Sequence, residues 1–213
     1  MYLKTLERLE REEQASVANL GRALGVSTPS ASAMVRRLTA RSWVRMDERK
    51  PRLTPAGRSL ALRTIRRHRL LERFLADTLQ IPWEEVHEPA CALEHAVTDV
   101  VTDRLEETLG HPTTCPHGHP IPARDGSIAP LTGVGLDTIE PGGRARVLRI
   151  SREEPELLSY LGALGLIPGA VAAVVTAAPF GGPLLVSIGR ARYALARDVA
   201  GLIAVEPIEA HED

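Results

Sequence analysis

The hydrophobic period of this chain changes once, across a Pro- and Gly-rich stretch, residues 111–136, that has no period of its own. Before that stretch, apolar residues recur every three or four positions, the repeat of helices with one buried face. After it they alternate in short runs split by Gly and Pro turns, the repeat of half-buried strands. Such a chain folds as a helical part followed by a small β part, and residues 111–136 read as the linker between them. The expected class is mainly α with small β.

The helical part opens with residues 3–13, where Leu3, Leu6 and Leu9 line one side. Ser16 caps a short second helix over Val17, Leu20 and Leu24. Gly25-Val26 turns the chain, and Ser27-Thr28-Pro29 opens a third helix, with Ser27 or Thr28 as cap and Pro29 near its first position. Ala31, Met34, Val35 and Leu38 form that helix's buried face, leaving Ser30, Ser32, Ala33, Arg36 and Arg37 outside. Trp43 to Met46 and Arg52 to Thr54 flank a polar turn and predict a β-hairpin carrying Arg45, Arg49, Lys50 and Arg52. Helix, turn, capped helix and hairpin are the pattern of a winged helix-turn-helix. Short hydroxyl side chains approach phosphates and base edges closely, and arginines neutralise the backbone. Ser27, Thr28, Pro29, Ser30, Ser32, Arg36, Arg37, Arg45, Arg49 and Lys50 are therefore the candidate DNA-binding residues.

Charge supports this reading. The net charge of −1 conceals a division: residues 1–73 hold 17 Lys and Arg against 7 Asp and Glu, and the rest holds 9 against 20. The first third is the part suited to a polyanion. Aromatic residues make up only 3% of the chain, so its cores rest on Leu, Val, Ala and Ile. No apolar run reaches the ~18 residues of a membrane span, and Met1 to Lys4 lacks the apolar stretch of a signal peptide. A cytoplasmic protein with reduced cysteines is expected.

A long helix is predicted from Pro55 to about Leu79, and another from Pro89 to Leu109. On the second, Cys91, Glu94 and His95 fall at i, i+3 and i+4, so a thiolate, a carboxylate and an imidazole share one face. His68 and Glu72 repeat the i, i+4 spacing on the first, and His87 lies nearby. These are donors for a divalent transition metal. Cys115-Pro116-His117-Gly118-His119 also has a metal tract's composition, but it falls in the linker. Beyond Asp137, runs at 145–150, 173–176, 184–188, 193–195 and 201–205 predict a five-stranded SH3-like β-barrel, interrupted by a helix from Glu153 to Leu164.

With these elements the chain resembles the diphtheria-toxin-repressor family of metal-dependent regulators. The resemblance lies in Met1 to Thr5, Leu53 to Arg58, His68 to Arg73, Val86 to His95 and Pro116 to Pro122. Leu164 to Gly169 and Pro179 to Pro183 are similar to the FeoA-like SH3 domain of many members. It implies a winged helix-turn-helix over 1–63, a helical metal-binding and dimerisation domain over 64–128, and the SH3-like domain over 129–213. It also implies a primary metal site of Met1, Cys91, Glu94 and His95, and an ancillary site of His68, Glu72 and His87. The SH3-like domain lends a carboxylate, Glu154 by alignment, with Glu153 and Glu156 as neighbouring alternatives; the family's companion glutamine falls on Leu157.

The function so implied is a repressor whose homodimer binds a double-stranded DNA operator when loaded with metal. Soft sulfur from Met1 and Cys91 favours Fe(II) over Mn(II), while Co(II), Ni(II) or Zn(II) substitute in vitro. A manganese-responsive regulator of the same family is the alternative. A metallohydrolase is a distant one, because no base beyond the ligands is legible and the basic helix-turn-helix pattern goes unexplained. Neither a membrane nor a small organic substrate is an expected partner.

Overall fold

Ser16 and Ser27 start two of the first three helices in the computed structural model, which describes residues 1–208. The expected domain end at 213 lies outside the described residues. The opening helix is α1 (Tyr2–Arg11). The Ser16 Oγ accepts the Asn19 amide at 3.1 Å and opens α2 (Val17–Ala23). The Ser27 Oγ accepts the Ser30 amide at 3.3 Å and opens α3 (Thr28–Ala40), with Pro29 in its first turn. Each cap satisfies an amide that the helix itself leaves unpaired.

A hairpin follows, β1 (Val44–Asp47) paired antiparallel with β2 (Lys50–Leu53). Its two turn residues, Glu48 and Arg49, both have positive φ, 44° and 66°, as a type I′ hairpin turn requires. The long helix α4 (Pro55–Asp77) then begins against the hairpin. Its Gly57 is obligatory, because a Cβ there would stand 1.9 Å from the Trp43 carbonyl oxygen. Glu10 reaches from α1 to the Leu53 amide and pairs with Arg58. Leu6, Leu9, Leu20, Val35, Leu38, Val44, Leu53 and Ala61 form the apolar core of this first part.

The chain divides into two compact units, Met1–Arg67 with Pro122–Ile128, and His68–Ile121 with Ala129–Asp213. Helix α4 supplies residues to both.

In the second unit the helix expected from Pro89 to Leu109 is two helices, α5 (His87–Leu93) and α6 (Asp99–Thr108). Thr98 explains the break: it is extended, and its Oγ1 takes the Val101 amide as an N-cap, which competes with continuing the helix. The expected linker is also partly ordered. Thr114 bridges Pro120, the Cys115 amide bonds the His119 carbonyl at 2.9 Å, and the Ile121 amide bonds the Thr113 carbonyl at 2.8 Å. Together they form a tight hairpin.

The strands are β3 (Val134–Gly135), β4 (Arg144–Ile150), β5 (Val171–Ala177), β6 (Leu184–Ile188), β7 (Ala191–Leu195) and β8 (Ile203–Ile208). Helix α7 (Pro155–Leu164) lies between β4 and β5, and α8 (Arg197–Ala200) between β7 and β8. The sheet is antiparallel with order β3-β8-β4-β5-β6-β7. The expected closed five-stranded barrel is thus an open six-stranded sheet. Its β3 edge is two residues long, too short to carry a second ladder to β7. Leu136, Val147, Ile150, Leu158, Leu161, Val174, Val186, Leu195, Ile203 and Val205 fill its core.

Candidate metal centre

Helix α4 presents His68 and Glu72 one turn apart on a buried face, 6% and 1% exposed. The His68 Nε2 lies 2.9 Å from the Glu72 Oε1, and its Nδ1 lies 2.9 Å from the Glu94 Oε2. Helix α5 sets His87 and Cys91 one turn apart, with the Cys91 Sγ 3.6 Å from the His87 Nε2 and 4.0 Å from the His68 Nδ1. Glu94, fully buried, follows the last turn in helical conformation, which preserves its i, i+3 relation to Cys91.

His87 joins this cluster to the sheet. Its Nδ1 lies 3.3 Å from the Glu72 Oε1 and 3.2 Å from the Glu153 Oε2, just before α7. The Cys115–His119 hairpin contributes two more donors. The His119 Nε2 lies 3.3 Å from the Glu153 Oε1, and the His117 Nδ1 lies 3.7 Å from the same oxygen and 3.9 Å from the Glu72 Oε1. The hairpin is held from two sides. Arg69 of α4 donates to the Pro120 carbonyl at 2.5 Å, and the Ile150 amide of β4 bonds the His117 carbonyl at 3.0 Å. Gly118 permits the second approach: its φ is +87°, and a Cβ would sit 2.0 Å from the Leu148 carbonyl oxygen.

The protonation states follow from these distances. Burial opposes charge on His68, but Cys91, Glu72 and Glu94 outweigh it and raise its pKa to about 10. Cys91, Glu153 and Glu72 raise His87 to about 12. In return, His68 and His87 lower Cys91 to about 6, in the thiolate range at neutral pH. Burial disfavours charge on Glu72 and Glu153, yet His68 and His87 hold Glu72 well below its ordinary value, and His87, assisted by His119 and His117, brings Glu153 to about 2. Burial pushes the Cys115 thiol up and lowers His119 to about 4.

Two imidazolium groups therefore neutralise a buried set of carboxylates and a thiolate. The donor atoms of His68, His87 and Cys91 lie within 4.8 Å of one another, as do those of Glu72, His87 and Glu153, and those of Glu72, Cys115 and His117. Buried anions and imidazoles at this spacing suit a divalent transition metal, which replaces the protons as the compensating charge.

His68, Glu72, His87, Cys91 and Glu94 thus meet in one cluster. His95 lies at its rim, 66% exposed in its side chain, with its Nε2 3.2 Å from the Glu94 Oε1. Met1 stands in the first unit at the N-cap of α1, and its carbonyl accepts from Thr5. Glu154, the expected contribution from the β part, does not reach the cluster. It is the N-cap residue of α7, exposed and paired with Arg152. Glu153 takes the place instead, because successive residues of extended chain point to opposite sides. His117 and His119 were legible only as three donor residues within five positions, in a segment whose composition reads as a linker.

In the first unit, Ser27, Thr28, Pro29, Ser30, Arg36 and Arg37 are exposed on α3 and Ser32 is half-buried. Arg36 donates to the Ser32 Oγ at 3.1 Å. Arg45, Arg49 and Lys50 are exposed along the hairpin. No helix among the described residues is long and apolar enough to cross a membrane.

Known proteins match this arrangement along nearly the whole chain. Residues 54–123 fit the family model of the iron-dependent repressor metal-binding and dimerisation domain, and residues 134–207 fit the FeoA domain. The iron-dependent repressor IdeR of Mycobacterium tuberculosis is 34% identical over 222 residues, covering 98% of this chain and 96% of that protein. A manganese-dependent transcriptional repressor solved in complex with manganese superposes with a TM-score of 0.86 at 33% identity, over 98% of this chain and all of that one. The repressor ScaR with bound Cd2+ gives 0.83 at 30% identity, over 97% and 98%. The chain belongs to the diphtheria-toxin-repressor family of metal-dependent transcriptional repressors, regulators that are not enzymes.

Proposed function

We propose that this protein represses transcription as a homodimer bound to a double-stranded DNA operator, and that Fe(II) bound at the buried cluster activates it. The observation carrying the proposal is the joining of thiolate, imidazole and buried carboxylate donors around His68. The primary site is assigned to Cys91, Glu94 and His95, with Met1 entering from the family resemblance alone. The ancillary site is assigned to His68, Glu72, His87 and Glu153. The metal supplies a fixed divalent charge that ties donors from separate segments into one geometry.

The first unit, read as a winged helix-turn-helix over 1–63, reaches DNA through α3 and the β1–β2 hairpin. Ligands on α4 lie on the same helix as the first unit's Arg66 and Arg67, so holding His68 and Glu72 stiffens the segment leading from that unit. In a twofold dimer the two recognition helices must stand about 34 Å apart. Metal shifts an existing equilibrium towards that spacing, and typical couplings of ~1–3 kcal/mol correspond to about 5–150-fold in affinity. The dimer face is assigned to 64–128, where Leu93, Val100 and Val101 are exposed at 41%, 73% and 47%; such apolar exposure suits an interface.

Iron is favoured by the sulfur donor Cys91. Manganese is the second reading, favoured by the oxygen-rich set Glu72, Glu94 and Glu153 and by the manganese named for the similar structure. Anaerobic titration of the protein and its own promoter DNA with Fe(II), Mn(II) or chelator tests both. Binding that follows the metal supports the repressor reading, and the order of the two metals selects between them. Equal affinity in chelator would leave an ordinary DNA-binding protein.

A further inference from the structure

Resting on the operator-binding reading, we propose that Arg36 reads a guanine in the major groove and sets the base preference of each operator half-site. The arrangement of side chains around α3 carries the argument. Ala31, Val35 and Leu38 are buried. The opposite side of the helix holds Pro29, Ala33, Arg36 and Ala40, of which Ala33 is half-buried and the others exposed.

A recognition helix meets base edges with the residues nearest its start. Here these are Thr28, Pro29, Ser30, Ser32 and Ala33, all short. Short side chains let the helix lie close to the base pairs and give thymine methyls apolar contact. None of them offers the paired donors that make a bidentate contact to one base. Arg36 is the first residue on that side of α3 that does.

Its conformation suits the task. The Arg36 Nη1 donates to the Ser32 Oγ at 3.1 Å. That bond draws the guanidinium back towards the start of the helix, the direction helical side chains favour. Among the described residues Ser32 is its one hydrogen-bond partner, and no carboxylate pairs with it. The fork of Nε and Nη2 is therefore left to donate to guanine O6 and N7. Other arginines of the unit are committed elsewhere. Arg8, Arg11 and Arg58 pair with Glu12, Glu7 and Glu10, and Arg41 stacks on Trp43 at 5.1 Å. Arg37 stands about 100° further round the helix, on the flank that suits phosphate. A guanidinium in the groove still lies between the two phosphate rows, so salt dependence does not separate the two contacts. Base preference does.

Selection from randomised double-stranded DNA by metal-loaded, full-length protein tests this, beside Arg36→Ala and Arg36→Gln. The unchanged protein should enrich an inverted repeat with one required guanine per half-site, any other base there costing about 5–150-fold in affinity. Arg36→Ala should accept any base at that position with the others unaltered. Arg36→Gln should shift it towards adenine, whose N6 and N7 match an amide. Replacing that guanine with 7-deazaguanine, which lacks the N7 acceptor, should weaken the unchanged protein several-fold and leave Arg36→Ala unaffected. The same guanine preference in both variants would overturn the inference and leave the operator-binding reading intact. No sequence enriched by the metal-loaded protein would overturn both.

Discussion

His68 joins residues assigned to two different metal sites: its Nδ1 lies 2.9 Å from Glu94 while its Nε2 lies 2.9 Å from Glu72. In the metal-free protein both nitrogens carry protons, and one imidazolium balances two buried carboxylates. Filling the ancillary site through the His68 Nε2 therefore removes the positive charge that the primary site's Glu94 was using. The two sites are electrostatically linked through a single ring.

Metal loading should release protons. With His68 at about 10 and His87 at about 12, both are charged at pH 7, whereas Cys91 at about 6 has largely ionised. Coordination through the two histidines displaces about two protons per chain. Calorimetry in buffers of different ionisation enthalpy measures that number, and affinity should rise between pH 6 and 9. A pH-independent affinity with no proton release would exclude these histidines as ligands.

The metal-free protein should lose stability in alkali. His68 has a folded pKa raised from 6.5 to about 10, so its contribution is complete below 6.5 and is lost as pH rises through 10. Glu153 runs the other way, with its contribution present above 4.5 and lost as pH falls through about 2. His119, lowered to about 4, contributes fully above 6.5 and loses that contribution as pH falls through 4. In chelator, Tm should therefore be highest near pH 6.5, falling on the acid side and falling by a few degrees towards pH 10. His68→Gln should flatten the alkaline limb. An identical limb in that variant would assign it to another group.

Adjacent glutamates should behave differently. Glu153→Gln is expected to weaken ancillary metal binding at least about tenfold, since loss of an outer partner alone costs ~10–100-fold, whereas Glu154→Gln, which loses only its exposed pairing with Arg152, should change stability by less than about 1 kcal/mol and leave metal affinity alone. Equal losses of metal affinity would refute the choice of Glu153.

Cys91→Ala and His95→Ala should each abolish metal-stimulated operator binding yet leave a folded dimer by circular dichroism and sedimentation. Replacing the soft donor in Cys91→Asp should move the preference from Fe(II) towards Mn(II). Normal iron-stimulated binding by Cys91→Ala would remove it from the activating site.

On the first unit, Arg36→Ala or Arg37→Ala should weaken operator binding and lower the slope of log affinity against log salt by about 1. A slope equal to that of the unchanged protein would place that arginine away from phosphate.

Local physics was legible in the sequence alone. Ser16 and Ser27 announce their helices because a cap is a contact over three residues, and His68–Glu72 and Cys91–Glu94 follow from helical spacing. The basic first third and the two hydrophobic periods likewise need no fold to be seen. The Thr98 cap on the Val101 amide is equally local, but an apolar pattern that runs straight through it hides it. Tertiary structure decided what depends on distant chain. The sheet stayed open because β3 is too short to close it. Glu153 was separated from Glu154 by which side of an extended backbone met His87, and no composition records that. His117 joined the buried donors only when Arg69 and Ile150 fixed its hairpin beside Glu72 and Glu153. Burial then gave each of these pairings its weight, since a carboxylate or lone pair removed from water must find its compensating charge inside the protein.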